Sequence, residues 1–153
     1  LEVLYQPFNI DWRGEEPQGE QPWYQCPMFS YAGGKVTSRI TSRAYFTGVT
    51  RFGQNLALTD IQKEALDFVQ EVANREDLRL RMHFAEGDMQ FINNHSILHA
   101  REEFEDYEDP ELKRHLLRMW IAYPEARRRQ LSPMLAERYS FVVRGGIPKK
   151  IAA

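Results

Sequence analysis

Residues 114–123 form the stretch that most limits what this chain can fold into. The even-numbered positions include Arg114, Leu116, Arg118, Trp120 and Ala122, and the odd-numbered positions include Leu117, Met119, Ile121 and Tyr123. Because the side chains of a β-strand alternate between two faces, each set lines one face. Both faces are largely apolar, which predicts a strand that is covered on both sides.

The two arginines of this strand lie on the same face. A buried guanidinium group without a partner is costly, so it must meet an anion. The planar fork of arginine holds a carboxylate through two parallel hydrogen bonds, which makes Arg114 and Arg118 candidates for binding an acid. The alternative is that Arg114 pairs with an acidic side chain such as Glu111, or lies in solvent at the start of the strand.

A pair of histidines, His95 and His99, precedes this strand. On a helix two histidines four residues apart would share a face and could bind zinc, but Ser96 stands where the zinc-protease pattern has its glutamate. The Asn93-Asn94 doublet and the flanking β-branched and aromatic residues favour a turn beside a strand. The alternative to metal binding is a structural, hydrogen-bonded histidine.

Other segments predict elements that could surround these residues. Residues 28–31 and 35–40 flank Gly33-Gly34 and predict a β-hairpin, because glycine accepts the positive φ of a tight turn. Residues 58–74 predict a helix, which begins with a Thr59–Gln62 capping box. Its expected core-facing stripe comprises Ile61, Ala65, Phe68, Val69 and Val72. Residues 80–84 and 89–92 predict further strands, and the acidic residues 102–111 predict a solvated loop.

Composition restricts the class of protein. The 153 residues carry a formal charge of −2, and 42% of them are hydrophobic, as in an ordinary globular domain. Neither a basic nucleic-acid footprint nor a membrane-spanning or membrane-surface segment is expected. The single cysteine, Cys26, excludes an internal disulfide and favours a reducing compartment such as the cytoplasm. The oligomeric state is not indicated by the sequence.

The run GDMQFINNHSILHAR, the acidic loop and RHLLRMW together resemble the C-terminal half of the TauD/TfdA family. Members of this family are Fe(II)- and 2-oxoglutarate-dependent dioxygenases. The segment from Leu4 to Ile40 also resembles a subgroup of the family. The resemblance implies that residues 1–153 are the C-terminal portion of one dioxygenase domain. The implied fold is mainly β with a helix, as part of a double-stranded β-helix, the jelly roll that cupins and clavaminate synthase-like enzymes share.

The resemblance also implies roles for single residues. His99 matches the distal iron ligand, Arg114 matches the residue that binds the distal carboxylate of 2-oxoglutarate, and Arg118 matches a second arginine that contacts cosubstrate or substrate. The implied reaction oxidises a small organic substrate with O2 while 2-oxoglutarate is decarboxylated to succinate.

The chain departs from the family at the iron site. The family holds iron with His-x-Asp or His-x-Glu and the distal histidine, a facial triad. No histidine of this chain has an acidic residue two positions later, and the chain starts at Leu1 rather than methionine. We therefore expect a fragment of a longer oxygenase. The alternative is a truncated, non-catalytic homologue that acts as an interaction or structural module.

Overall fold

The computed structural model describes residues 1–121 and 128–140. Its strands are β1 (Pro7–Asp11), β2 (Trp23–Pro27), β3 (Phe29–Ala32) and β4 (Lys35–Ser38). Its α-helices are α1 (Arg43–Gly48), α2 (Asp60–Ala73) and α3 (Pro133–Ser140). Short 3-10 helices span Glu2–Tyr5, Val49–Phe52, Gln54–Leu56 and Pro110–Leu112. None of the helices in the described ranges is long and apolar enough to cross a membrane.

The four strands form two antiparallel pairs. In the first, β1 runs beside β2 so that Phe8 lies opposite Cys26. In the second, β3 runs beside β4, and the tight turn between them contains Gly33 and Gly34, whose φ angles are 56° and 75°. Glycine adopts such positive angles without a steric penalty, so the hairpin predicted around this pair is confirmed.

The core lies where β1, β2 and the helices meet. Its fully buried members include Phe8 and Ile10 from β1, Cys26 and Met28 from the second strand and its end, Phe46 from α1, and Leu135 from α3. The rings of Phe8 and Phe46 meet edge to face with centroids 6.0 Å apart, a favourable geometry for two aromatic side chains.

A buried carboxylate ties the end of β1 to the 3-10 helix that follows α1. Oδ1 of Asp11 accepts hydrogen bonds from the backbone N–H of Arg13 at 2.7 Å and from the guanidinium of Arg51 at 2.9 Å. These bonds satisfy a side chain that is almost completely buried. The other carboxylate oxygen lies so close to Gly48 that a Cβ there would be 2.6 Å from it, and glycine therefore permits the close approach.

Helix α2 confirms the predicted helix and its start. The Thr59 hydroxyl accepts from the N–H of Gln62, and the Gln62 side chain accepts from the N–H of Thr59, which completes the capping box. The predicted apolar stripe is only partly correct. Leu66 is the buried residue of this helix, whereas Ile61 and Phe68 are 61% and 62% exposed. Ala65 and Val69 of the stripe do pack against the core beside Leu66, so the buried face is the predicted stripe rotated towards Leu66.

The strands predicted for residues 80–84, 89–92 and 114–123 are not present in the part of the chain that the structure describes. Residues 80–84, 89–92 and 114–121 have no strand pairing and most are exposed, and Ala122 and Tyr123 lie outside the described residues. A strand needs a hydrogen-bonded neighbour, and none is provided for these segments among the described residues. The two small sheets are compatible with part of a jelly roll, but the described residues do not form a double-stranded β-helix.

Candidate functional site

Residues 93–97, which we call the His95 turn, precede His99. The side-chain oxygen of Asn93 accepts a hydrogen bond from the N–H of His95 at 3.1 Å. The backbone oxygen of Asn93 accepts from the N–H groups of Ser96 and Ile97, both at 3.0 Å. Asparagine commonly closes turns through such side-chain bonds to the backbone. The turn predicted from the Asn93-Asn94 doublet is confirmed, and the helix needed for a zinc pair is not formed at these residues.

The His95 turn is hydrogen-bonded to the hairpin β3–β4. The backbone N–H of Ser38 donates to the carbonyl oxygen of His95 at 2.9 Å, and the Ser38 hydroxyl approaches the same oxygen at 3.4 Å. The guanidinium of Arg129 donates to the Ser96 hydroxyl at 2.7 Å and to the carbonyl oxygen of Val36 at 2.6 Å. Two distant segments therefore hold the turn that leads to His99.

The imidazole of His95 lies half-buried near two arginines. Burial lowers the pKa of His95 below its ordinary value of 6.5, and the positive charges of Arg129 and Arg39 lower it further. Arg39 is itself held by a hydrogen bond to the Tyr24 hydroxyl at 3.2 Å. The surroundings favour the neutral imidazole in the folded protein, because the charged form would lose hydration and meet like charges.

We expect the chain to lose stability as the pH falls below about 6.5, in part through His95. Its pKa is lower in the folded protein than in the unfolded chain, so above 6.5 the group is neutral in both states. As the pH falls from there through the folded pKa, the unfolded chain binds the proton first. Urea denaturation from pH 8 to pH 5 should show a weaker pH dependence for His95→Gln than for the wild type. The exposed His83→Gln variant is the matched control and should follow the wild type.

The three residues singled out by the family resemblance are all exposed. His99 lies just beyond the His95 turn. The backbone N–H of Arg114 donates to the Asp106 carboxylate at 2.9 Å, and its guanidinium carbon lies 5.3 Å from the ring centre of Phe104. Arg118 lies in the extended segment that follows. Within the described ranges, no hydrogen bond, ion pair or ring contact joins His99, Arg114 and Arg118.

The described residues do not complete a metal site by themselves. No group of three or more His, Cys, Asp or Glu side chains in residues 1–121 and 128–140 could hold a metal ion. An iron facial triad needs two histidines and a carboxylate on one side of the metal. His99, which the family resemblance matches to one of these ligands, is exposed in the structure.

Two open clefts lie elsewhere on the described surface. The first, of about 620 Å³, has Tyr5, Phe29 and Tyr31 among its lining residues. The second is formed by residues 101–105 at the start of the acidic loop. Neither cleft is lined by His99, Arg114 or Arg118. Neither cleft is therefore a cosubstrate pocket built from these residues.

Sequence reasoning missed the residues that hold the His95 turn. Arg129 belongs to a short basic run that carries no pattern of its own, and its partner Val36 is 93 residues away along the chain. Ser38 lies at the end of β4, and nothing in the sequence around it distinguishes it from the other serines. No local signal identifies such pairs, because the contacts depend on how the chain folds back on itself.

The family model described as "Taurine catabolism dioxygenase TauD, TfdA family" matches residues 1–120. The chain belongs to the TauD/TfdA family. The matched range contains His99, Arg114 and Arg118 as well as both antiparallel strand pairs. The resemblance seen in the sequence is thereby confirmed, and the chain is a member of a family of oxygenases.

Two relatives in the TauD/TfdA family illustrate the similarity. The chain is 35% identical over 124 residues to the FR-33289 synthase of Streptomyces rubellomurinus (strain ATCC 31215), an alignment that covers 79% of this chain and 36% of the relative. It is 41% identical over 103 residues to the taurine hydroxylase-like protein SAT17 of Stachybotrys chartarum (strain CBS 109288 / IBT 7711), covering 65% of this chain and 26% of that protein. The matched part of the chain thus spans between about a quarter and about a third of the length of these relatives.

Proposed function

We propose that this chain is the part of an Fe(II)- and 2-oxoglutarate-dependent oxygenase that supplies one iron-ligating histidine and the arginine for the cosubstrate. The match of the TauD/TfdA family model to residues 1–120 carries the proposal, because that range includes both proposed residues. The whole enzyme would use O2 to oxidise a small organic substrate while 2-oxoglutarate is decarboxylated to succinate. Cys26 is the single cysteine of the chain, so no internal disulfide forms, which suits a reducing compartment, and we propose the cytoplasm.

Each of the three residues has one role in the proposal. His99 in its neutral form would donate a ring nitrogen to iron. Arg114 would bind the distal carboxylate of 2-oxoglutarate through two parallel hydrogen bonds, and Arg118 would contact the cosubstrate or an anionic substrate. In the present structure the guanidinium of Arg114 lies over Phe104 and is exposed, so it can leave this ring for a carboxylate without disrupting a buried ion pair.

The described residues limit what the chain does alone. Because only His99 is proposed as a ligand here, a histidine and a carboxylate must come from other residues. The role of the protein in such a site is to bind the partners of the metal and orient them, while the metal supplies the oxidation chemistry.

Replacing Arg114 tests the cosubstrate role. In the complete gene product, Arg114→Ala should raise the 2-oxoglutarate concentration needed for half-maximal succinate formation by about 10-fold or more, because a charge-assisted pair worth about 1.5–3 kcal/mol is lost. Succinate formation at graded 2-oxoglutarate measures the effect. Lys113, the exposed cation next to Arg114, provides the control. Lys113→Ala should leave the required 2-oxoglutarate concentration unchanged. An Arg114→Ala enzyme with the wild-type requirement would remove Arg114 from the cosubstrate site.

An interaction or structural module is the second candidate function. The observation that favours it is the exposure of large apolar side chains along the segment after α2, namely Leu80, Met89, Phe91, Leu117, Met119 and Ile121. Extensive apolar exposure marks surfaces that associate with other polypeptide. The same apolar surface is also compatible with an oxygenase in which the rest of the domain packs over it. Succinate formation by the complete gene product separates the two, because a non-catalytic module would form none.

A further inference from the structure

We propose that Arg129 is a positioning residue that fastens the segment carrying His99 to the hairpin β3–β4. The proposal rests on the function proposed above in assigning His99 to the metal. It concerns a residue 30 positions further along the chain, beyond the range that the family model matches. Arg129 would touch neither metal nor cosubstrate and would act through the His95 turn.

The guanidinium of Arg129 bridges two elements at once. One terminal nitrogen donates to the Ser96 hydroxyl at 2.7 Å, and the other donates to the Val36 carbonyl oxygen at 2.6 Å. The Arg129 side chain is half-buried, and both bonds lie at the surface, where the fixed positions of the two acceptors let one guanidinium join them. Arginine is suited to this bridge because its donors are fixed in one plane, whereas a lysine ammonium is a single point donor.

The bridge stands beside a backbone hydrogen bond between the same two elements. The Ser38 N–H donates to the His95 carbonyl oxygen, and Ser38 is two residues from Val36 on the same strand. These contacts form a small closed ring. The Arg129 guanidinium joins Val36 of β4 to Ser96, and the hydrogen bond between His95 and Ser38 leads back to β4. We call this ring the clasp. Each hydrogen bond of the clasp restrains β4 relative to the His95 turn, so the loss of one bond weakens the remaining bonds.

The clasp matters because the segment around it has little else to hold it. Hydrogen bonds at His95 and Ser96 join this segment to the hairpin and to Arg129, and an exposed ion pair joins Glu102 to Arg81. The segment forms no strand, and its large apolar side chains are mostly exposed. His99 is three residues after Ser96, so its Cα lies within about 11 Å of that anchor even in a fully extended chain. A fixed Ser96 thus restricts where His99 can be.

Amide hydrogen exchange at Ser38 tests the clasp directly in the 153-residue chain. Arg129→Gln should speed exchange of the Ser38 amide by about 10-fold or more. Without the arginine, its hydrogen bonds no longer restrain the turn whose His95 carbonyl oxygen accepts from this amide. Arg129→Lys, which keeps the charge and one bond, should restore part of the protection. Arg43→Gln removes an exposed arginine that pairs with Asp67 elsewhere and should leave Ser38 unchanged. The amides of β1 and β2 should keep their protection in every variant, which shows that the core is intact.

A second variant keeps the test decisive if Arg129→Gln fails to fold. Ser96→Ala removes only the hydroxyl that accepts from Arg129 and should also speed exchange at Ser38, by a smaller factor. Wild-type exchange at Ser38 in a folded Arg129→Gln protein, or in Ser96→Ala when Arg129→Gln does not fold, would overturn the proposal.

The link to His99 is tested separately in the complete gene product. Arg129→Gln should raise the Fe(II) concentration needed for half-maximal succinate formation, while Arg43→Gln should not. Faster exchange at Ser38 with an unchanged Fe(II) requirement would show a clasp that does not position His99 and would overturn the positioning role. If the wild type forms no succinate, the proposed oxygenase function fails, and the exchange data alone then decide whether Arg129 fastens the segment.

Discussion

Replacing His99 by alanine in the complete gene product should reduce 2-oxoglutarate-dependent succinate formation by more than about 100-fold. Residues that merely support a metal ligand cost about 10–100-fold when lost, and removing a ligand itself should cost more. His99 is exposed, and no hydrogen bond, ion pair or ring contact joins it to the core within the described ranges, so folding stability should change by less than about 0.5 kcal/mol. The measurement is succinate formed at saturating Fe(II) and 2-oxoglutarate, beside urea denaturation of the same variant.

The matched control is His83→Ala, which removes another exposed histidine from the same part of the chain. It should leave both turnover and stability near the wild type. Wild-type turnover in His99→Ala would remove His99 from the iron site. A loss of turnover that accompanied an equal loss of stability would point to misfolding, and a His99→Gln variant would then distinguish loss of a ligand from loss of the fold.

Phe8→Ala should lower the free energy of unfolding by about 3–5 kcal/mol. Phe8 is fully buried and packs edge to face on Phe46, so its removal leaves a cavity and breaks an aromatic contact. Against a typical total of about 5–15 kcal/mol for a folded domain, this loss is a large fraction. Urea denaturation followed by circular dichroism measures it, with the slope of the transition checked for two-state behaviour.

Phe68→Ala removes the same side chain from helix α2 and serves as the comparison. Helical periodicity alone put Phe68 in the core, but the structure leaves it 62% exposed. The structure therefore predicts a change within about 0.5 kcal/mol, as for surface substitutions in general. Equal destabilisation by Phe8→Ala and Phe68→Ala would contradict the buried face that the structure assigns to α2.

Local signals accounted for the elements that sequence reasoning placed correctly. The hairpin β3–β4 follows from two glycines that permit a left-handed turn, and the start of α2 follows from a capping box whose partners are three residues apart. The turn at Asn93 likewise uses bonds between near neighbours. The family resemblance came from residue types in order along the chain, and the family match confirmed it without any tertiary information.

The orientation of α2 was not determined locally. The apolar side chains of α2 cover a wide arc of the helix, and only the position of the surrounding core selects the side with Leu66 over the side with Ile61 and Phe68. The strands expected after α2 depend in the same way on neighbours. An alternating apolar pattern shows that a segment can be a strand, but the hydrogen bonds must come from another strand, and the described residues do not provide one.

The sequence by itself therefore determined the family, the local turns and caps, and the residues proposed for iron and cosubstrate, because each depends on residue type and short spacing. Only the tertiary structure decided which side chains are buried and which distant groups meet. The Asp11–Arg51 ion pair and the bridge from Arg129 to Val36 are examples, since both join residues that are 40 or more positions apart. Such contacts form only when the whole chain brings their backbones together, and no short stretch of sequence contains that information.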